Sequence, residues 1–211
     1  MDVIIVAAGK GLRFGGATPK QFLPLCDKPV LVHTIDAFQH HPAIRRIVVV
    51  GPDDWLFYIA QDIVDKFGFD KVNQIIGGGA ERQDSVLAGI KALGTGAGPV
   101  LIHDGARPLV TIDIIDRVIN GLERHLSVIP VVRVADTVKI VDREHVTETL
   151  QRDKLRAVQT PQGFQIEKLQ SLLLQAQTEK CTVTDEAMLM EKNGVPVSVV
   201  DGDASNMKIT N

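Results

Sequence analysis

Four short runs that are apolar at every position constrain this chain more than any other feature. They are Val3–Val6, Ile47–Val50, Ile75-Ile76 and Val100–Ile102. A strand with one wet face alternates apolar and polar residues. An unbroken apolar run predicts a strand covered on both faces, as in a parallel sheet. The runs end in Ala7-Ala8-Gly9, Gly51-Pro52, Gly77-Gly78-Gly79 and His103-Asp104-Gly105. Between them lie amphipathic segments, Val30–His40, Asp53–Phe67, Glu81–Leu93 and Ile112–His125. In Glu81–Leu93, for example, Val86, Ile90 and Leu93 recur at helical spacing. Strand and helix signals in alternation imply an α/β layer fold with a mostly parallel sheet and right-handed crossovers. Ligands of such folds bind at the carboxyl ends of the strands, where these glycine-rich and acidic turns fall.

The pattern changes after residue 126. Val128–Val134 and Val138–Val141 are strand-like, and His145–Leu150 alternates β-branched and polar residues, which reads as a β-rich insertion or protruding arm at about 135–155. A helix is predicted over Ile166–Gln177, another starts near Thr184, and Val195–Val200 is a late strand. At 211 residues the chain reads as a single domain. Its 23 Lys and Arg against 26 Asp and Glu give a net charge of −3, with no basic run. That argues against a general nucleic-acid or membrane-surface binder. Any phosphate chemistry must use a few placed cations. Cys26 and Cys181 lie far apart and form no CxxC, so they read as packed, reduced thiols rather than a disulfide or zinc site. The apolar start MDVIIVAAG is too short for a signal-peptide core and lacks a basic leader. A cytoplasmic location is expected.

The first loop, Ala7-Ala8-Gly9-Lys10-Gly11-Leu12-Arg13-Phe14-Gly15-Gly16, lets the backbone approach a ligand at Gly9 and Gly11. It is not a Walker A loop, because no Gly-Lys-Ser/Thr closes it, and Phe14 breaks the dinucleotide fingerprint. Arg13 and Lys20 supply two cations, which suit the charge of a triphosphate better than a dinucleotide. In Gly77-Gly78-Gly79-Ala80-Glu81-Arg82-Gln83-Asp84-Ser85, Gly79 and the Ser85 hydroxyl are candidates for a base or ribose. Asp104, just past a strand, is a candidate for a nucleotide or substrate hydroxyl, or for a divalent ion. Arg107 suits a phosphate, or equally a pairing with Asp104.

Nine pieces fall in order from Val6 to Lys208: AAGKGLRF, PKQF, GGAERQDSV, HDGARP, DTVK, LQR, TPQGF, TDEA and NMK. On these the chain resembles the 2-C-methyl-D-erythritol 4-phosphate cytidylyltransferases of the non-mevalonate isoprenoid pathway. Ribitol-5-phosphate cytidylyltransferases share many of them and are the close competitor. The resemblance implies a Rossmann-like nucleotide-binding domain with a β-arm through which it forms a homodimer. It implies that Arg13 and Lys20 bind the triphosphate and stabilise charge at the α-phosphate. Ala7, Ala8, Gly79 and Ser85 then bind cytosine and ribose, largely through backbone. Asp104, Gly105 and Arg107 line the sugar-phosphate site, near Thr160 and Thr184. Thr137 and Arg152 reach the methylerythritol phosphate from the arm across the dimer interface, and Lys208 holds the two phosphates together. Some relatives carry an acid at position 80, alanine is common at position 105, and the family usually continues past this lysine with an acidic, leucine-rich helix.

The chemistry agrees with these roles. The nucleophile is an already ionised phosphate oxygen, so no nucleophilic side chain or general base is required. Two anions must be held together, which demands cations and orientation. Arg13, Lys20, Arg152 and Lys208 supply four charges, and a Mg²⁺ bridging the triphosphate of CTP supplies two more. A non-catalytic nucleotide-binding protein would not need all four cations, and an NAD-dependent oxidoreductase is disfavoured at Phe14.

Overall fold

The apolar runs form the centre of an eight-stranded sheet in the computed structural model, which describes residues 1–9, 18–94, 96 and 98–210. Strand β1 (Asp2–Val6) leads through the small hairpin β2 (Pro24–Leu25) and β3 (Lys28–Pro29) to α1 (Val30–Gln39) and β4 (Arg46–Gly51). The predicted helix at 53–67 is one helical run of changing pitch: a tight turn at Asp53–Trp55, α2 at Leu56–Tyr58 and a π-helical stretch at Ile59–Asp65. Then come β5 (Val72–Gly77), α3 (Arg82–Leu93), β6 (Val100–Asp104), α4 (Ile112–Leu122) and β7 (Ser127–Arg133). The hairpin β8 (Lys139–Asp142) and β9 (His145–Thr149) follows, then β10 (Arg156–Val158), β11 (Gln162–Phe164), α5 (Ile166–Thr178), α6 (Glu186–Lys192) and β12 (Ser198–Asp201).

Strands β5, β4, β1 and β6 lie side by side and parallel. β11 pairs antiparallel with both β6 and β7, so β7 runs parallel to β6. β7 therefore belongs to the central sheet, ahead of the arm expected at about 135–155. β10 and β11 have no apolar run to announce them, because the polar Gln159-Thr160-Pro161-Gln162 joins them. On the other edge of β7 lies β12, parallel to it. The hairpin β8–β9 pairs only with itself, and every residue of its two strands is exposed.

Side chains alternate across the sheet, and helices cover both faces. Val3, Ile5, Ile47, Val49 and Leu101 pack under α1, the 53–67 run and α4. Ile4, Val48, Val50, Val100 and Ile102 pack under α3, α5 and α6. Each such fully buried side chain contributes about 1.5–3 kcal/mol. Helix α3 lies close on β1, since a Cβ at Gly89 would stand 2.6 Å from Ile4 Cγ2. Cys26 is exposed in the β2–β3 turn rather than packed, and both thiols are free. No helix among the described residues is long and apolar enough to cross a membrane.

The chain leaves β1 toward β4 and β5, then returns to β6 on the opposite flank of β1. This reversal opens a crevice at the carboxyl ends of β1 and β6. The end of β6 is held from behind. The Asp104 N–H donates to Thr160 Oγ1 at 3.1 Å, leaving that hydroxyl to donate to His103 Nδ1 at 3.0 Å. His103 Nε2–H then donates to the Arg107 carbonyl at 3.2 Å, which selects the neutral ring. The ring is fully buried beside Phe38, and burial pushes its pKa down to about 4.

A depressed folded pKa means the unfolded chain binds the proton more readily. The stability carried by this neutral ring is present above about pH 6.5 and is lost as pH falls to about 4, up to roughly 3 kcal/mol in all. Urea unfolding at about pH 7 and about pH 4.5 should show a larger acid loss for the protein than for His103→Gln. Equal losses would contradict this placement of the ring.

Candidate active site

The crevice is shaped at the end of β1 by close backbone approach. A Cβ at Gly78 would lie 2.3 Å from Ala8 Cβ and 2.8 Å from Ser85 Oγ, so only glycine lets the β5–α3 turn meet the end of β1. A Cβ at Gly105 would stand 2.8 Å from Ala7 Cβ, so the glycine here brings β6 equally close. The Ala7 N–H donates to the Val50 carbonyl at 2.7 Å, and Gly105 N–H to Val6 at 2.9 Å. Ser85 is buried, accepts from the Gly79 N–H at 3.1 Å and donates to the Glu81 carbonyl at 3.3 Å. Its hydroxyl thus shapes the turn at Gly79. Glu81 and Asp84 close a capping box at the start of α3. Ala8 is half-buried and Gly9 exposed at the crevice mouth. Lys20 is half-buried in the turn Lys20–Phe22. Arg13 and Gly11 lie outside the described residues.

The opposite side is built on Asp104. Its Oδ2 meets Lys208 Nζ at 2.9 Å and Arg107 Nε at 3.5 Å, and its Oδ1 meets Arg82 Nε at 3.2 Å. Arg82 reaches on to Glu186, one Nη standing 2.6 Å from both carboxylate oxygens. Glu186 has no exposed surface, and Asp104 keeps only 7%. Burial alone would raise the Asp104 carboxyl, but Arg82 and Lys208 override it and hold it well below the usual carboxylate range. Burial likewise opposes the charge on Arg82, and its two carboxylate partners reverse that effect, so the guanidinium stays a cation.

Lys208 arrives on a short anchored tail. Buried Asn206 donates to the Thr160 carbonyl at 2.9 Å, Arg107 Nη1 donates to the Asn206 carbonyl at 2.8 Å, and the Ile209 N–H pairs with Ala106 at 2.8 Å. Gln159 Nε2 adds bonds to the Asp203 and Asn206 carbonyls. The NMK segment is therefore stitched to β6 and to the β10–β11 link. Thr160 sits behind Asp104 with its hydroxyl engaged by Asp104 and His103. Thr184 is exposed one residue before Asp185, which caps α6 by accepting from the Met188 N–H at 2.9 Å.

The arm residues stand apart from this cluster within one chain. Arg152 donates to the Ala135 carbonyl at 2.8 Å, and exposed Thr137 lies between β7 and β8. Arg133, Arg152 and Arg156 line a concavity of about 450 Å³ at the arm's base, with Val134, Ala135 and Asp153. Among the described residues no hydrogen bond or ion pair joins Arg152 to Asp104. The donor set also bears on metal binding. Both Asp104 oxygens already face cations, and the described residues contain no group of three or more His, Cys, Asp or Glu placed to hold an ion. Asp104 as placed does not fit a metal ligand.

Sequence reasoning assigned no role to Arg82, Glu186 or Gln21, although each lies inside a quoted motif. Arg82 and Glu186 are 104 residues apart, so only the tertiary fold reveals their pairing.

Comparison with known proteins agrees with this geometry. The profile of the 2-C-methyl-D-erythritol 4-phosphate cytidylyltransferase family matches residues 1–211. The enzyme of that name from Alkaliphilus oremlandii is 42% identical over 210 residues, covering 99% of this chain and 89% of its own. That from Clostridium acetobutylicum is 41% identical over 208 residues, covering 98% and 90%. The crystal structure of 4-diphosphocytidyl-2C-methyl-D-erythritol synthase from Anaerococcus prevotii superposes with a TM-score of 0.86 at 32% identity, covering 100% of this chain and 92% of that one. With its switch-point crevice, its Asp104-centred cations and this agreement along its whole length, the chain belongs to the 2-C-methyl-D-erythritol 4-phosphate cytidylyltransferase family.

Proposed function

We propose that this chain transfers CMP from CTP to 2-C-methyl-D-erythritol 4-phosphate in isoprenoid precursor synthesis. A phosphate oxygen of the sugar phosphate attacks the α-phosphorus of CTP. The bond from that phosphorus to the bridging oxygen breaks, and pyrophosphate leaves with the electron pair. The observation that carries the reading is the cluster of Lys208, Arg107 and Arg82 around Asp104, facing the glycine-shaped end of β1. It offers positive charge where two phosphates must meet and a carboxylate for a polyol hydroxyl. Preorganised cations stabilise the charge that grows at the α-phosphate. Lys20 faces the triphosphate in this reading. No described residue is assigned to hold Mg²⁺; bound with CTP, the ion would supply positive charge that offsets the charge of the departing pyrophosphate. The chain works in the cytoplasm.

The working unit is a homodimer formed through the arm. Val141 and Val146, paired across the hairpin, are 55% and 59% exposed and share one face, and Ile140 is 44% exposed on the other; a second copy would cover such apolar side chains. Arg152, separate from Asp104 in its own chain, then serves the partner's sugar phosphate.

Pyrophosphate release from CTP and Mg²⁺ should be fast with methylerythritol 4-phosphate and slow with ribitol 5-phosphate; turnover with ribitol 5-phosphate alone would overturn the substrate assignment. Lys20→Ala should raise the barrier by about 2–4 kcal/mol. Mixing Lys20→Ala with Arg152→Ala under subunit exchange should restore part of the activity, because one site of each mixed dimer is intact. No recovery despite demonstrated exchange would place Arg152 in its own chain's site.

A further inference from the structure

The turn that carries Lys20 is gripped from two sides. On one side Gln21, only 2% exposed, donates its Nε2–H groups to the Ala7 carbonyl at 2.5 Å and to the Gly9 carbonyl at 3.0 Å. On the other, Phe22 stacks on Trp55 with ring centroids 4.6 Å apart and planes 15° apart, and meets Tyr58 edge-on at 5.5 Å. Trp55 and Tyr58 are themselves in edge contact at 5.4 Å. The Phe22 N–H bonds back to Pro19, and the Leu23 N–H to Lys20, which completes the turn. Lys20 and the carboxyl end of β1 are thus tied through one buried amide.

We propose that Gln21 is a positioning residue of the nucleotide subsite, setting the spacing between Lys20 and the Ala7–Gly9 backbone that a nucleoside triphosphate must bridge. The role requires a donor. Both partners of the Gln21 nitrogen are carbonyl oxygens, so an acceptor at that place faces two acceptors and leaves them unsatisfied. Glutamate has the shape of glutamine and reverses the interaction. The inference rests on the cytidylyltransferase reading.

Its test is Gln21→Glu, with CTP binding measured by calorimetry beside the Michaelis constant for methylerythritol phosphate at saturating CTP. The CTP dissociation constant should rise about tenfold or more, while the Michaelis constant for the sugar phosphate stays within about threefold. A folded variant that binds CTP within about twofold of the unaltered protein would overturn the inference, and so would equal weakening of both substrates. Gln21→Met removes the donor without adding charge and should show the same split, which keeps the test decisive if the glutamate variant does not fold. Failure of the unaltered protein to bind CTP would instead overturn the cytidylyltransferase reading, and this inference with it.

Discussion

The site depends on one buried carboxylate meeting three cations. Asp104 loses most of its hydration at the end of β6, and an isolated carboxylate there would be strongly disfavoured. Arg82, Arg107 and Lys208 repay that loss and are themselves gathered by it. They come from the start of α3, the loop after β6 and the segment that follows β12. Without the carboxylate, three like charges would repel across the same small volume. With it, the cluster keeps a positive excess, even after Glu186 takes up part of Arg82. An excess of that kind draws phosphate in without collapsing onto itself.

The two halves of the crevice solve different problems. The nucleotide half is shaped by absent side chains, since Gly78 and Gly105 let β1, β6 and the β5–α3 turn approach closely. In the proposed reading backbone amides and carbonyls recognise the nucleotide there, and they need fixed positions. The capping box, the Ser85 hydroxyl and the Gln21 amide supply that rigidity. The phosphate half is shaped by long charged side chains whose direction is set by pairing. Behind both lies the neutral His103 and Thr160 relay, which joins β6 to the β10–β11 link.

The frame was largely legible in the sequence. Unbroken apolar runs such as Ile47–Val50 became the buried parallel strands because only a doubly covered strand tolerates them. The amphipathic pattern of Ile112–His125 became α4, opened by the Thr111 hydroxyl. What stayed hidden was tertiary. β10 and β11 are three-residue strands too short and too polar at their junction to leave a periodic signal. Asp104 was visible as a candidate, but Arg82 and Glu186 read as ordinary polar residues at helix starts. Their meaning lies in contacts that span 22 and 104 positions of sequence.

The central claim is that Asp104 and Lys208 act as a unit. It is tested most directly by a double-mutant cycle of Asp104→Asn and Lys208→Met, read as kcat/KM for the sugar phosphate at saturating CTP. If the carboxylate works by placing the lysine, either change alone should cost about a hundredfold or more, and the pair together little beyond the larger single loss. If the two losses simply multiply, each residue acts by itself, and the account of Asp104 as organiser of the site is wrong.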